Sequence, residues 1–295
     1  MRFTFLLALL FCITAVCPAQ KPKKITGEGI INVIYRYKKF PSQLTERRTV
    51  DVWLPLNYSK DKKFAVLYVN DGQNMFNPKD AYQGIEWGID EVLGKLIDQG
   101  RARDTIVVGI WSNGNRLKEF APEKAFALVN DRNAKSNKYI MPPGTGSDSY
   151  LKFIVSELKP FIDRNFSTLS DRENTFVMGS SMGGLMALYT ISEYPEVFGG
   201  AACVSPHFPL GEGVMIDYMA ESLPAPAGHR IYFDYGTLGL DAEYEPFQKR
   251  ADKLMAKKGY VREKNWITRK INGAGHSEIY WSLRAFMPLE FLLKK

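Results

Sequence analysis

The sequence predicts an α/β fold: a mainly parallel sheet with helices on both faces and an antiparallel N-terminal edge. Three observations carry this. Over most of its length the chain alternates short β-branched or aromatic runs with longer segments of helical period, and strands joined through helices pair in parallel. The first strand-like runs have no helix between them, which leaves antiparallel pairing as their way to share a sheet. The composition, 45% apolar and 24% charged over 295 residues with three cysteines, excludes a disordered chain, a collagen-like chain and a disulfide-stapled miniprotein.

The first twenty residues stand apart. Arg2, the apolar run Phe5 to Val16 and the small residues around Cys17-Pro18-Ala19 read as a secretory signal peptide, residues 1–19, cut after Ala19. That run would rise only about 18 Å as a helix, short of the roughly 30 Å hydrocarbon core. A lipid anchor on Cys17 is disfavoured because Val16 is bulkier than the small residue expected there. Cleavage would leave Cys203 as the one remaining cysteine and so no internal disulfide. Residues 20–295 are then expected to form one exported domain, periplasmic or extracellular, with no later apolar stretch long enough to span a membrane. The net charge of +7, from 39 Lys and Arg against 32 Asp and Glu, forms no dense basic stripe, so no nucleic-acid partner is expected.

Period-two and β-branched runs predict strands at Ile31–Tyr37, Arg48–Leu54, Phe64–Val69, Thr105–Ile110, Thr175–Met178, Ala201–Ser205, Arg230–Tyr235 and Asn265–Ile271. Helices are predicted at Ile85–Leu96, Ser147–Asp163, Gly183–Glu193, Ala242–Lys258 and Glu278–Leu292. Trp111 to Gly146, rich in Asn, Lys, Pro and Gly, reads as a long loop at the sheet edge.

Chemistry enters at Gly179-Ser180-Ser181-Met182-Gly183, between a predicted strand and a predicted helix. This is a Gly-x-Ser-x-Gly nucleophile turn in the strand–turn–helix setting it requires, with Ser181 as nucleophile. A serine needs a base. Of the three histidines, His229 precedes its strand and lies at the wrong end of the sheet. His207 is at the correct end but has no suitable carboxylate between it and Ser181. His276, in a glycine-rich loop after the last strand, is left as the base. The acid should follow the strand Arg230–Tyr235. Asp241 is preferred over Asp234, which is still within the strand, and Glu243 and Glu245 are the alternatives. Asn70-Asp71-Gly72-Gln73, at the end of another strand, offers the Gln73 N–H as second oxyanion donor beside that of Met182. No His-Glu-x-x-His pattern or thiolate cluster calls for a metal or other cofactor.

These motifs, with Val204-Ser205-Pro206, Arg116 to Pro122 and Gly275-His276-Ser277-Glu278 plus Trp281, resemble the putative esterase family of α/β-hydrolases. That family includes feruloyl, acetyl xylan and enterochelin-type siderophore esterases and S-formylglutathione hydrolases. The resemblance implies an α/β-hydrolase fold and a Ser181–His276–Asp241 ester hydrolase. Trp87, Trp111, Asn113, Arg116, His207, Phe208 and Trp281 are candidates for the substrate rim, with Trp87 and Trp281 alternatively core anchors of their helices. Feruloyl or acetyl esters of plant polysaccharide are the expected substrates. A siderophore esterase, an acyltransferase or a non-catalytic binding protein of the same fold are the alternatives.

Overall fold

The computed structural model describes residues 21–27, 29–130 and 146–295; the signal-peptide segment lies outside them. Among the described residues nine strands form one sheet: β1 Lys23–Ile25, β2 Val33–Phe40, β3 Arg48–Leu54, β4 Ala65–Asn70, β5 Thr105–Ile110, β6 Thr175–Ser180, β7 Gly200–Val204, β8 Arg230–Gly236 and β9 Trp266–Ile271. Their order across the sheet is β1-β2-β3-β5-β4-β6-β7-β8-β9. The pairs β1/β2, β2/β3 and β3/β5 are antiparallel, and every pair from β5 to β9 is parallel. The antiparallel edge expected from the helix-free N-terminal runs is present, with one strand, β1, that its short charged sequence did not announce.

The helices are α1 Ile89–Asp98, α2 Arg116–Glu119, α3 Glu123–Asn130, α4 Ser147–Phe153, α5 Lys159–Asn165, α6 Met182–Glu193, α7 Val214–Ser222, α8 Glu245–Lys257, α9 Glu278–Arg284 and α10 Phe286–Leu293. Alternate side chains of each strand serve opposite faces. In β4, Val66 and Tyr68 join the core beneath α4 to α8, whereas Ala65, Leu67 and Val69 join the one beneath α1 and α10. Burial on both faces explains why β4 to β7 read as unbroken apolar runs rather than alternating ones.

Several predicted boundaries shift, each for a local reason. The first helix begins at Ile89 rather than Ile85, because Gly88 takes a left-handed conformation (φ 58°) that stops a helix upstream. The span Ser147–Asp163 is helical throughout but carries a π-helical turn, Ile154–Leu158, between α4 and α5. The last helix breaks at Ala285, since Pro288 has no N–H to offer the Arg284 carbonyl. The segment after β8 makes a tight turn, Gly239–Glu243, before α8, which starts with Pro246 in its first turn. Part of the expected long loop is helical as α2 and α3; residues 131–145 of it lie outside the described residues. Among the described residues no helix is long and apolar enough to cross a membrane.

Candidate active site

β4 lies between β5 and β6, so the chain winds away from it in both directions, and the crevice beyond the strand ends at such a switch point is where ligands bind in open α/β sheets. The turns leaving β4 and β6 meet there. Ser181 follows β6 with φ 56° and ψ −120°, a conformation that costs an L-residue energy and is held by its surroundings. A Cβ on Gly179 would lie 2.4 Å from the Gly183 carbonyl oxygen, so only glycine lets strand and helix close to this distance. Asn70, at the end of β4, pins the same carbonyl through its Nδ2 (3.0 Å) and accepts the Tyr150 hydroxyl at Oδ1 (2.7 Å).

His276 Nε2 is 2.7 Å from Ser181 Oγ, and its Nδ1 is 2.6 Å from Asp241 Oδ1. A carboxylate can only accept, so Nδ1 carries a proton, and whenever the ring is neutral Nε2 accepts the serine hydroxyl. Asp241 is fully buried in the turn before α8. Its Oδ2 accepts the Gly236 N–H (2.7 Å) and the Ser205 hydroxyl (2.8 Å). Burial alone would raise this carboxyl. The bond and charge of His276, with the Gly236 and Ser205 donors, hold it below the ordinary carboxylate range. The alternatives lie elsewhere: Glu243 is exposed, and Glu245 is paired with Lys249 and Lys270. Asp234, set aside because it is within β8, is bound to Arg284 instead. His229 is likewise elsewhere, between the Ala225 and Pro195 carbonyls.

Met182 opens α6, and the first N–H groups of a helix have no intrahelical partner, so its amide is available to an oxyanion. Gln73 lies in the turn after β4, where its side chain exchanges two hydrogen bonds with Ser112, Nε2 to Oγ (2.8 Å) and Oε1 from the N–H (3.1 Å).

The rim expectations divide. His207 stands beside the imidazole, ring centroids 6.3 Å apart, with Nδ1 2.6 Å from the Tyr244 hydroxyl. Burial, and then the charge of His276, push it down to about 4, so it is neutral at neutral pH. Trp111 is half-buried; its Nε1 donates to Asp51 (3.0 Å) and the Arg36 guanidinium lies 4.6 Å from its ring. Asn113 accepts the Asn115 N–H. Arg116 is held by Asp71 through two 2.7 Å bonds, and so does not offer a free positive charge. Burial and the Asp71 charge raise the nearby Glu278 carboxyl.

Three side chains correct the rim assignment. Phe208 (1% exposed) packs on Phe233 in the core, because Ser205 and Pro206 turn the chain back under the sheet end. Trp87 (2% exposed) anchors the approach to α1. Trp281 (4% exposed) anchors α9 and meets the His276 ring edge to face at 4.9 Å. Sequence reasoning assigned no role to Asn70, Tyr150, Tyr244 or Arg284. Arg284, one of two charges with Glu290 in the mostly apolar stretch Trp281–Leu292, was the one signal available among them.

Comparison with known proteins bears on the family and the fold. The family model described as Putative esterase matches residues 42–281. An endo-1,4-beta-xylanase/feruloyl esterase of Xylanibacter ruminicola is 29% identical over 158 residues, 52% of this chain and 18% of that protein. A ferulic acid esterase structure superposes with a TM-score of 0.64 at 20% identity, covering 88% of this chain and 97% of that one. The enterobactin esterase of Shigella flexneri does so with a TM-score of 0.63 at 18% identity, covering 88% and 58%. The last two likenesses bear on the fold, which is that of the α/β-hydrolases.

Proposed function

The chain belongs to the Putative esterase family and is a carboxylesterase, and from that premise we propose that it hydrolyses esters through Ser181, His276 and Asp241. The observation that carries this is the imidazole of His276 bonded at once to Ser181 Oγ (2.7 Å) and Asp241 Oδ1 (2.6 Å). His276 takes the serine proton as Ser181 attacks the carbonyl carbon. The N–H groups of Met182 and Gln73 hold the oxyanion, and Asp241 stabilises the imidazolium. His276 returns the proton to the departing alcohol, then activates the water that frees the acid.

For substrate we infer feruloyl or acetyl esters carried on plant polysaccharide. The names of the Xylanibacter relative and of the ferulic acid esterase neighbour support this. The half-buried Trp111 ring, with Arg36 over one face, keeps part of its surface open to an aromatic or sugar face. The neutralised Arg116 counts against an anionic ferric siderophore. Ser181→Ala should lower kcat on p-nitrophenyl acetate and methyl ferulate by about 10⁴-fold or more, with an unchanged melting temperature. A variant keeping a tenth of the wild-type rate would remove Ser181 from the mechanism. We further propose export: intact mass of protein from the native host should show a chain starting at Gln20, and a chain starting at Met1 or lipidated at Cys17 would refute it.

A further inference from the structure

Behind the proposed triad is a group of buried polar side chains that the ester chemistry does not use. Ser205 leaves β7 with φ 38°, a strained conformation for a residue with a side chain, and is fully buried. Its Oγ lies 2.8 Å from Asp241 Oδ2, 2.8 Å from Arg284 Nη2 and 3.2 Å from Trp281 Nε1. Guanidinium and indole N–H groups only donate, and a carboxylate only accepts. The hydroxyl must therefore accept from Arg284 and Trp281, and its one proton must point at Asp241. Arg284 is fixed in turn by buried Asp234, Nε to Oδ2 at 3.0 Å and Nη2 to Oδ1 at 3.1 Å. Asp234 also takes the Ser205 N–H (3.0 Å) and the Tyr232 hydroxyl (2.9 Å).

We propose that Ser205 and Arg284 are positioning residues for the acid: the Ser205 hydroxyl, polarised by Arg284, holds Asp241 with Oδ1 toward His276 and withdraws part of its charge. The proposal rests on the reading of Ser181, His276 and Asp241 as a triad. A donor fed by a cation is stronger than a neutral one. Asp234 neutralises Arg284, so the arrangement delivers an oriented dipole to Asp241 with little net charge. α9 sets both ends of it. It begins two residues after His276, lays Trp281 against the imidazole, and one turn later delivers Arg284 to Ser205.

A merely structural network would affect stability and leave the titration of the base alone, so the pH profile separates the two. With fewer donors on Oδ2, more charge faces Nδ1 and His276 keeps its proton to higher pH. Among the described residues the other titratable and charged groups that meet His276 are His207, Tyr244 and Glu278, with Arg116 and Asp71 beyond Glu278, and none of these is altered in the variants. In Ser205→Ala, kcat on p-nitrophenyl acetate should fall about 10- to 100-fold with KM within about threefold. The acid limb of kcat/KM should move up by about half a pH unit or more. Arg284→Lys, which keeps the charge beside Asp234 but not the fork, should move both readouts the same way by less. If the alanine variant does not fold, Ser205→Gly removes the same hydroxyl and suits the positive φ. A folded Ser205 variant with kcat within about twofold of wild type, or with a large loss of kcat and an unmoved acid limb, would overturn the proposal. Retained activity in Ser181→Ala would instead overturn the triad beneath it.

Discussion

At the scale of single residues, two carboxylates in adjacent turns have opposite circumstances. Asp241 is buried and bonded to the imidazole, whereas Glu245 faces solvent between two lysines. Asp241→Asn keeps the shape but loses the acceptor that selects the tautomer, so kcat at neutral pH should drop by about 10²–10⁴-fold. Glu243→Gln and Glu245→Gln should stay within about tenfold of wild type, since exposed charges contribute little. His207 allows a prediction about stability. Its folded value near 4 is below the ordinary 6.5, so the unfolded chain binds its proton more readily. Its contribution is intact above about pH 6.5 and is lost as the pH falls toward 4. His207→Gln should flatten the pH dependence of the unfolding free energy in that window by up to about 1.4 kcal/mol per pH unit, measured by urea titration.

At the scale of elements, the sequence is legible where one principle acts alone. The parallel strands, the serine turn and the histidine loop follow from apolar runs and from glycines flanking a strand end, and the structure has them within a few residues of their predicted bounds. α7 was missed because Val214–Ser222 follows Gly211 and Gly213 and is too short to show a period of its own. Phe208 shows another limit: its aromatic type beside His207 suggested a surface, but whether a ring after a strand end faces in or out is decided by the turn between. The same contrast gives a test with two glycines. Gly94 lies within α1 with open space where a Cβ would go, so Gly94→Ala should stabilise by about 0.5–1 kcal/mol. Gly179→Ala sets a methyl group against the Gly183 backbone and should cost about 3 kcal/mol or more, or prevent folding. Urea unfolding of both variants decides.

At the scale of the whole molecule, the sheet gives the two apolar clusters a common wall, because neighbouring residues of each central strand belong to different clusters. Neither cluster can lose its packing without disturbing the other. Thermal transitions followed by far-ultraviolet circular dichroism and by tryptophan fluorescence should therefore coincide. Two separated transitions would show that the faces melt independently.

Cys203 turns this into a clock. It lies in β7, in register with Gly179 of β6 and Phe233 of β8, fully buried, with burial and then the Asp234 charge holding its thiol well above the ordinary range. A thiol reagent meets neither access nor thiolate while the strands stay paired. In a chain beginning at Gln20, which lacks Cys12 and Cys17, alkylation at high reagent concentration would proceed at the rate at which the middle of the sheet opens. Inhibition by that reagent would then report unfolding rather than chemistry at the serine, and the lifetime of the native state could be read from one sulfur atom.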